Sequence, residues 1–292
     1  ITYCFNDLPM GASELVKWAA SLPGPRIVIL NTVQSAAVVA LEYQKQFGRS
    51  CVEHLSTALT PNDRSKTLKK VKTRLVNPYD TDWTLVATSC VEAGVDLSFK
   101  AGVREAASLV SLLQTAGRVN RHDAINSETV WTIILKEDGL LKKHPGMNDP
   151  SKVLIELLVQ GTPISPDLCT NALKREIRLA GRFSDELLEL EKGFRFPQVE
   201  KKFQVIDAQT LTAVVDEALV KKMESHAPVD WREIQKSSVQ IWSYRLQFLG
   251  LPEFSSHPGV YKWTYAYDDF IGYMAGVLKI ESFKNGGDGC II

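Results

Sequence analysis

The sequence lacks the features that mark several large classes of protein. Its 292 residues contain no apolar run near the ~20 residues that a membrane-spanning helix needs, so a spanning protein is excluded. Its five cysteines form no Cys-x-x-Cys pair and show no zinc-ligand spacing, and its five histidines are dispersed. We therefore expect no metal site and no disulfide framework, and we interpret the cysteines as the reduced thiols of a cytoplasmic protein.

Two sequence signatures of nucleotide hydrolysis are also missing. No Gly-x-x-x-x-Gly-Lys-Ser/Thr loop occurs, so the chain has no phosphate cradle of that kind and no loop hydroxyl for Mg²⁺. No Asp-Glu-x-His or Asp-Glu-x-Asp box is present either. His122-Asp123 is the dipeptide of metal nucleases, but a metal site needs several converging ligands, and the other histidines of such a site are absent.

Net charge gives no general argument for nucleic-acid binding. The chain has 34 basic and 34 acidic side chains, so any phosphate backbone would have to be bound by local positive charge. Residues 64–74 hold six basic side chains on a predicted helix, although such a run is more often a solvated face. The length predicts two domains. The chain begins at Ile1 with no signal-peptide pattern, and we expect it to be part of a longer protein.

Short apolar runs alternate with helical patterns in the first half of the chain. Residues 26–30 form such a run, which is typical of a buried parallel strand. Further strands are predicted at 51–55, 83–88, 101–104 and 130–135. Helices are predicted at 33–47, 61–75 and 108–115. This order predicts an α/β fold, a parallel sheet with helices on both faces, followed by a smaller, mostly helical domain.

The second half has a different rhythm. Glycines and prolines between 136 and 150 indicate a linker, and residues 151–190 have mainly helical patterns. A strand is predicted at 203–206, and helices are predicted at 208–224 and 231–249. We divide the chain into a lead-in at 1–24, an α/β domain at 25–140, a linker and helical segment at 141–200, and an accessory C-terminal domain at 201–292.

The first cluster of chemical interest follows the predicted strand at 83–88. Thr88 leads into a turn that holds Gly94 and then Asp96. Ligands of open α/β sheets bind at the carboxyl ends of strands, and exposed backbone N–H groups there can bind phosphate oxygens. The alternative is a tight strand-to-loop crossing with a buried aspartate whose hydrogen bonds are satisfied.

The second cluster is Gln114, Gly117, Arg118 and Arg121. A helix through this segment would place Gln114 and both arginines on one side, and Gly117 permits close backbone approach. Two rigid guanidinium groups suit a polyanionic phosphate. The alternative is a solvated basic face or a pair of structural salt bridges. Both clusters are predicted to lie at the same edge of the sheet.

These two clusters resemble motifs V and VI of superfamily-2 helicases, whose sixth motif reads Gln-x-x-Gly-Arg-x-x-Arg. The fuller forms Ala-Thr-x-x-x-Glu-Ala-Gly-Val-Asp and Gly-Arg-Val-Asn-Arg-His resemble the CRISPR-associated helicase-nuclease of type I interference systems. Residues 28–33 resemble its motif IV, and residues 54–64 resemble its Leu-Ser-Thr…Arg segment. The resemblance implies a second RecA-like domain at 25–140, followed by an accessory domain lying over the single-stranded DNA path.

The resemblance also implies roles for particular residues. Arg118 and Arg121 would reach ATP phosphates across an inter-domain cleft, and Gln114 would orient the γ-phosphate or the attacking water. Gly94, Asp96 and Gly117 would be nucleotide-binding residues, and Gly94 and Asp96 would couple the nucleotide to the DNA-binding face. The residues expected to contact the DNA backbone are Asn31, Ser56, Thr57, Arg64 and Thr88.

The implied cofactors are ATP and Mg²⁺, bound at the interface with a first RecA-like domain that this sequence does not contain. The implied partners are single-stranded DNA, the CRISPR surveillance complex, and the N-terminal nuclease and first RecA-like domains, with no membrane. The chain alone is then expected not to hydrolyse ATP. Two alternatives stay open: a superfamily-2 helicase of DNA repair or RNA metabolism, and a non-catalytic module that docks on a partner protein.

Overall fold

The first half of the chain forms a six-stranded parallel sheet. The structure is a computed structural model that describes residues 1–92, 94–119, 128–181, 185–202, 210–243 and 249–280. The strands are β1 (Thr2–Met10), β2 (Arg26–Ile29), β3 (Val52–Leu55), β4 (Thr84–Ala87), β5 (Ala101–Glu105) and β6 (Thr129–Leu135), in the order β1-β6-β5-β2-β4-β3. Each neighbouring pair is parallel.

Four helices follow the strands of this sheet. They are α1 (Ala12–Ala20), α2 (Val33–Phe47), α3 (Pro61–Val76) and α4 (Leu109–Ala116). Local chemistry sets their starts: the hydroxyl of Thr32 accepts from the N–H of Ser35, and the hydroxyl of Thr60 accepts from the N–H of Asp63. Pro61 occupies the first turn of α3, where its missing N–H costs no hydrogen bond.

The two faces of the sheet are both covered. Val28 faces one hydrophobic core, which it shares with α1 and α2, while Ile27 and Ile29 face a second core with α4. Successive side chains of a strand point to opposite faces, so a strand buried on both sides reads as a continuous apolar run. The predicted α/β fold with helices on both faces is confirmed.

One strand of the sheet was not expected from the sequence. Thr2–Met10 forms the edge strand β1, paired in parallel with β6 from Thr2↔Thr129 onward, whereas residues 1–24 were interpreted as a lead-in. Much of β1 is exposed, and its polar composition gave no strand signal. Most of the rest of this segment forms the helix α1, Ala12–Ala20.

The second half is largely helical, as predicted. Its helices are α5 (Asn148–Val159), α6 (Cys169–Ala180), α7 (Asp185–Lys192), α8 (Phe196–Lys202), α9 (Glu217–Glu224), α10 (Trp231–Lys236) and α11 (Met274–Val277). It also contains a three-stranded sheet of β7 (Thr210–Val214), β8 (Ser238–Trp242) and β9 (Val260–Lys262), in the order β8-β7-β9.

This small sheet corrects two helix predictions. The helices predicted at 208–224 and 231–249 are wrong over 210–214 and 238–242, where the chain forms β7 and β8. Periodicity alone does not separate a short apolar strand from a helical turn, and here antiparallel pairing between β7 and β8 decides in favour of the strand. The strand predicted at 203–206 lies outside the described residues.

The C-terminal segments share a core with the parallel sheet. Ala213, Ile241, Trp263 and Tyr273 belong to the same buried cluster as Val28. One continuous core therefore joins the α/β domain predicted at 25–140 to the accessory domain predicted at 201–292. The division into these domains stays a prediction. Within the described ranges, every helix is too short or too polar to cross a lipid bilayer.

Candidate functional site

The segments that leave the carboxyl ends of β2, β3 and β4 meet at one edge of the large sheet. The N–H of Leu30 donates to the carbonyl of Ala87 at 2.9 Å, and the N–H of Thr88 donates to the carbonyl of Leu55 at 3.2 Å. Parallel strands end at a common edge, so the residues that follow each strand become neighbours. The candidate residues after β2, β3 and β4 therefore lie together, as the sequence predicts.

The two motif clusters are in direct contact through Arg118. Its Nε donates to the carbonyl of Val91 at 2.9 Å, and its Nη2 donates to the carbonyl of Glu92 at 2.7 Å. The N–H of Phe99 in turn donates to the carbonyl of Arg118 at 2.9 Å. Arg118 is 8% exposed, so its guanidinium braces the turn that follows β4 rather than extending into solvent.

The helix predicted at 108–115 is present as α4, but it does not continue through the arginines. α4 ends at Ala116, and Gly117 is its C-cap, so Arg118 lies beyond the helix and is buried while Gln114 is exposed. Gly94 and Asp96 are exposed too, so the alternative of a buried aspartate in that turn is wrong. Arg121 lies outside the described residues, as do His122 and Asp123.

The expected DNA-contacting hydroxyls are mostly inside the fold. Ser56 and Thr88 are buried, and Oγ of Ser56 accepts from the N–H of Ala58 at 3.2 Å. Oγ1 of Thr57 is buried with no hydrogen-bond partner among the described residues, and Arg64 is half-buried. The side chain of Asn31 is committed to internal hydrogen bonds at both polar atoms. Direct contact of these side chains with DNA stays a prediction.

A C-terminal clasp, residues 267–273, holds the loop that follows β3. Oη of Tyr267 donates to Oδ2 of Asp63 at 2.7 Å and accepts from the N–H of Thr60 at 3.0 Å. The N–H of Tyr273 donates to the carbonyl of Ala58 at 3.1 Å. The expected DNA-contacting loop at 56–60 is therefore fixed by residues about two hundred positions later in the chain.

Two further features make this clasp tight. Nδ1 of His54 donates to the carbonyl of Phe270 at 2.7 Å, and burial lowers the pKa of His54 to about 4, so the ring is neutral. Gly272 has φ +64°, and a Cβ there would lie 2.0 Å from the carbonyl oxygen of Ala58. Only glycine fits this close backbone approach in the left-handed region.

Sequence reasoning missed a buried charge cluster at the end of β5. Nε of Arg104 lies 2.9 Å from Oε1 of Glu92, and its Nη1 donates to Oδ1 of Asn31 at 2.6 Å. Oε2 of Glu105 accepts from the N–H of Asn31 at 2.7 Å. Two adjacent charged residues that end an apolar strand were the available signal, because side chains of this type are rarely buried without partners.

Burial dominates the electrostatics of this cluster. It raises the pKa of Glu105 to about 7, with the N–H of Asn31 and the charge of Arg104 acting in the opposite direction. Burial also raises the pKa of Glu92 and lowers the pKa of Arg104, and their mutual attraction acts against both shifts. The cluster is therefore held together by specific bonds at a considerable desolvation cost.

The basic helix α3 is partly neutralised inside the protein. Glu53, 1% exposed, pairs with Lys70 at 2.6 Å and with Arg74 at 2.9 Å. Arg74 also pairs with Asp80, and Lys66 pairs with Asp63. Among the six basic side chains at 64–74, these three serve the fold, so the helix is not a uniform phosphate-binding face.

A cleft of about 220 Å³ opens beside the buried charges. Asn31, Glu105, Lys143, His144 and Lys152 are among the residues that line it. Both lysines form ion pairs with neighbouring carboxylates, so the positive charge facing the cleft is partly compensated. Gly94 and Asp96 are exposed in the segment that follows β4, whereas the backbone of Arg118 pairs with Phe99 just before β5 begins, so the expectation that both clusters lie at the carboxyl edge is wrong for the second one.

The similarity of this chain to known proteins includes the segments that carry the motifs. Residues 24–124 match the family model described as the CRISPR-associated nuclease/helicase Cas3, C-terminal. The CRISPR-associated nuclease/helicase Cas3 of Haloferax volcanii is 32% identical over 105 residues, which cover 35% of this chain and 10% of that protein.

Solved structures agree over a longer stretch. A crystal structure of Cas3 with ATP from T. fusca matches with a TM-score of 0.60 and 15% identity, covering 90% of this chain and 39% of that one. A crystal structure of a CRISPR-associated protein matches with a TM-score of 0.60 and 17% identity, covering 93% and 40%. This chain thus spans about a tenth of the curated relative and about two fifths of these structures.

The predicted RecA-like fold and the predicted resemblance are both confirmed by these comparisons. The match in sequence covers the segments that follow β2, β3, β4 and β5, which carry the motifs. The match in fold extends to the helical C-terminal portion. This chain accordingly resembles the C-terminal part of the CRISPR-associated nuclease/helicase Cas3, in sequence over residues 24–124 and in fold over about nine tenths of its length.

Proposed function

We propose that this chain supplies the C-terminal half of the motor of an ATP-dependent single-stranded DNA translocase in CRISPR interference. The observation that carries the proposal is the contact between the side chain of Arg118 and the turn at Val91 and Glu92, which joins the two helicase motifs. The family match over the same residues supports it.

ATP and Mg²⁺ would be bound between this chain and a first RecA-like domain. The fit on this side is that of half a site: Gln114, Gly117 and Gly94 are exposed, and Gly94 has free space where a Cβ would stand. Gln114 would orient the γ-phosphate or water, and Arg118 with Arg121 would stabilise phosphate charge. The phosphate loop and the hydroxyl for Mg²⁺ would come from the partner domain, because this sequence has neither.

DNA would lie across the carboxyl edge of the large sheet, near the loop at 56–60 and the turn after β4. A translocase binds the sugar-phosphate backbone without reading bases, and Ser56, Thr57, Thr88, Arg64 and Asn31 are the residues assigned to it. The surveillance complex and the N-terminal nuclease domain are the proposed protein partners. We also propose a cytoplasmic location, in keeping with five cysteines whose spacing in the sequence indicates no disulfide framework.

The test uses the assembled helicase, meaning this chain together with the portion that supplies the first RecA-like domain. Arg118→Ala should lower ATP turnover by about 10³-fold or more while single-stranded DNA affinity stays nearly unchanged. Gln114→Ala is the cleaner companion variant, because Gln114 is exposed and its loss should lower turnover without changing the melting temperature.

A structural role for Arg118 gives a different result. Its guanidinium braces two backbone carbonyls, so Arg118→Ala can also loosen the turn. If turnover, DNA affinity and melting temperature all fall together while Gln114→Ala retains full turnover, the proposed nucleotide role is wrong. Arg178→Ala, at an exposed position on α6, is the control for a surface arginine and should change none of the three.

A further inference from the structure

The buried guanidinium of Arg104 joins the ends of three neighbouring strands. Its Nη1 donates to Oδ1 of Asn31 after β2 and to the carbonyl of Glu105 at the end of β5, at 2.6 and 3.0 Å. Its Nε lies 2.9 Å from Oε1 of Glu92 after β4. Arg104 is 1% exposed, so these contacts are shielded from solvent.

The same contacts continue to the nucleotide side. The backbone carbonyl of Glu92 accepts from Nη2 of Arg118 at 2.7 Å, while the carboxylate of Glu92 pairs with Arg104. A series of contacts, made of two hydrogen bonds and the ion pair between Arg104 and Glu92, therefore runs from Asn31 through Arg104 and Glu92 to Arg118. Its two ends are a residue assigned to DNA and a residue assigned to ATP.

Stability alone does not account for an arginine at this position. Replacing a buried ion pair by packed apolar groups is often neutral or stabilising, so burying this charge has no general advantage for the fold. The planar guanidinium does offer a rigid fork that holds two partners in a fixed relative position. Lysine would keep the charge beside Glu92 but would lose that two-sided geometry.

We propose that Arg104 is a positioning residue that couples the DNA-side segment at Asn31 to Arg118 through Glu92. The inference rests on the proposed function, because it names how the two halves of that site communicate. Arg104 itself touches neither nucleotide nor DNA in this arrangement. When the segment after β2 shifts, it displaces the Nη1 side of the Arg104 guanidinium. The Nε side then passes the displacement through Glu92 to the turn that Arg118 contacts.

The experiment measures ATP turnover of the assembled helicase against single-stranded DNA concentration. Arg104→Lys should reduce the DNA stimulation of turnover by about tenfold, within the usual range of coupling between sites. Its DNA-independent rate and its KM for ATP should change less than about twofold, because the ion pair with Glu92 is kept.

The matched control is Arg26→Lys. Arg26 is 2% exposed and donates to the carbonyls of Ala20 and Leu22, but it begins β2 and so lies at the opposite end of the strand from Asn31. Arg26→Lys should leave DNA stimulation intact. Equal loss of stimulation in the two lysine variants, or full stimulation in Arg104→Lys, would overturn the proposal.

Two further results are possible. If Arg104→Lys does not fold, the paired variant Glu92→Gln/Arg104→Gln carries the same test, because it removes both charges of the Arg104–Glu92 ion pair together. If ATP turnover of the unmodified helicase ignores DNA altogether, the proposed function fails and the inference fails with it. The unmodified protein thus distinguishes failure of the function from failure of the coupling.

Discussion

Oη of Tyr267 donates a hydrogen bond to Oδ2 of Asp63 at 2.7 Å, across 204 residues of sequence. The same oxygen accepts from the N–H of Thr60, so one side chain holds both the end of the loop at 56–60 and the first turn of α3. Burial raises the pKa of Asp63, but hydrogen bonds from Tyr267, Lys66 and Thr60 outweigh it and leave that pKa lowered. Asp63 is therefore an ionised acceptor that anchors the clasp.

Tyr267→Phe should weaken binding of single-stranded DNA by the assembled helicase about three- to tenfold. The variant loses two hydrogen bonds, each worth about 1 kcal/mol, and the loop they position becomes free to move. Tyr265→Phe is the control, because Tyr265 is also half-buried and donates one hydrogen bond, but to the carbonyl of Leu249. Fluorescence anisotropy at fixed salt compares the two, and equal DNA affinities would contradict the positioning role of Tyr267.

Glu105 should make the stability of the chain depend on pH. Its pKa rises from an ordinary 4.5 to about 7 in the folded state, because it is buried. Between these values the folded state holds a proton that the unfolded state has released, so the free energy of unfolding falls as the pH rises, by about 3 kcal/mol in all. Above pH 7 no further loss from this group is expected.

Comparison with Glu105→Gln isolates this effect. His54 contributes the opposite slope, because burial lowers its pKa to about 4 and stability then rises from pH 4 to 6.5. Both proteins contain His54, so its contribution cancels in their difference. Urea unfolding is measured at pH 5, 6, 7 and 8. The free energy of unfolding of Glu105→Gln, relative to that of the unmodified chain, should rise with each step up to pH 7. A pH-independent difference would contradict the burial of an ionisable Glu105.

Loss of Glu53 should lower the free energy of unfolding more than loss of an exposed acidic residue. Its buried carboxylate lies 2.6 Å from Nζ of Lys70, 2.9 Å from Nη1 of Arg74 and 3.4 Å from Nη1 of Arg49. Glu53→Ala leaves these cations without their shared partner and should cost about 3–5 kcal/mol in urea unfolding. Glu189→Ala removes an exposed surface pair and should cost less than about 1 kcal/mol. Similar costs for both variants would contradict the account of the basic helix.

Local sequence signals predicted the core of the large sheet well. α2 runs from Val33 to Phe47 as predicted, because Thr32 caps one end and Gly48 follows the other with φ +91°. The signal in Thr60-Pro61 set the start of α3 in the same way. Strands β2 and β4 were visible because both faces of each are buried, which makes their sequences continuously apolar.

The features that the sequence did not reveal depend on pairing between distant segments. β1 is a half-exposed edge strand, and its place is set by β6 rather than by its own pattern. β7 and β8 were predicted as helices because their apolar spacing fits either structure until the partner strand is known. Local propensity is weak evidence wherever tertiary contacts decide.

The candidate site was also predicted only in part, because local motifs were visible in the sequence and contacts between distant segments were not. The motif residues were found in the sequence, and Arg118 does meet the turn after β4. The sequence did not indicate that Arg118 and Asn31 are turned inward, because Arg118 is held by the carbonyls of Val91 and Glu92 and Asn31 by Arg104, which are contacts between separate segments. The register Ile29↔Arg104 places Arg104 beside the residue that leaves β2, and no local pattern specifies that register.

The most direct test of the account is ATP hydrolysis by this chain alone. We predict no turnover above background, with or without single-stranded DNA, because in the proposed function Gln114 and Arg118 would supply only one side of a cleft, and the sequence has no phosphate-binding loop for the other side. Turnover should appear when the portion that supplies the first RecA-like domain is added. A clear rate from the isolated chain, abolished by Arg118→Ala, would contradict the account.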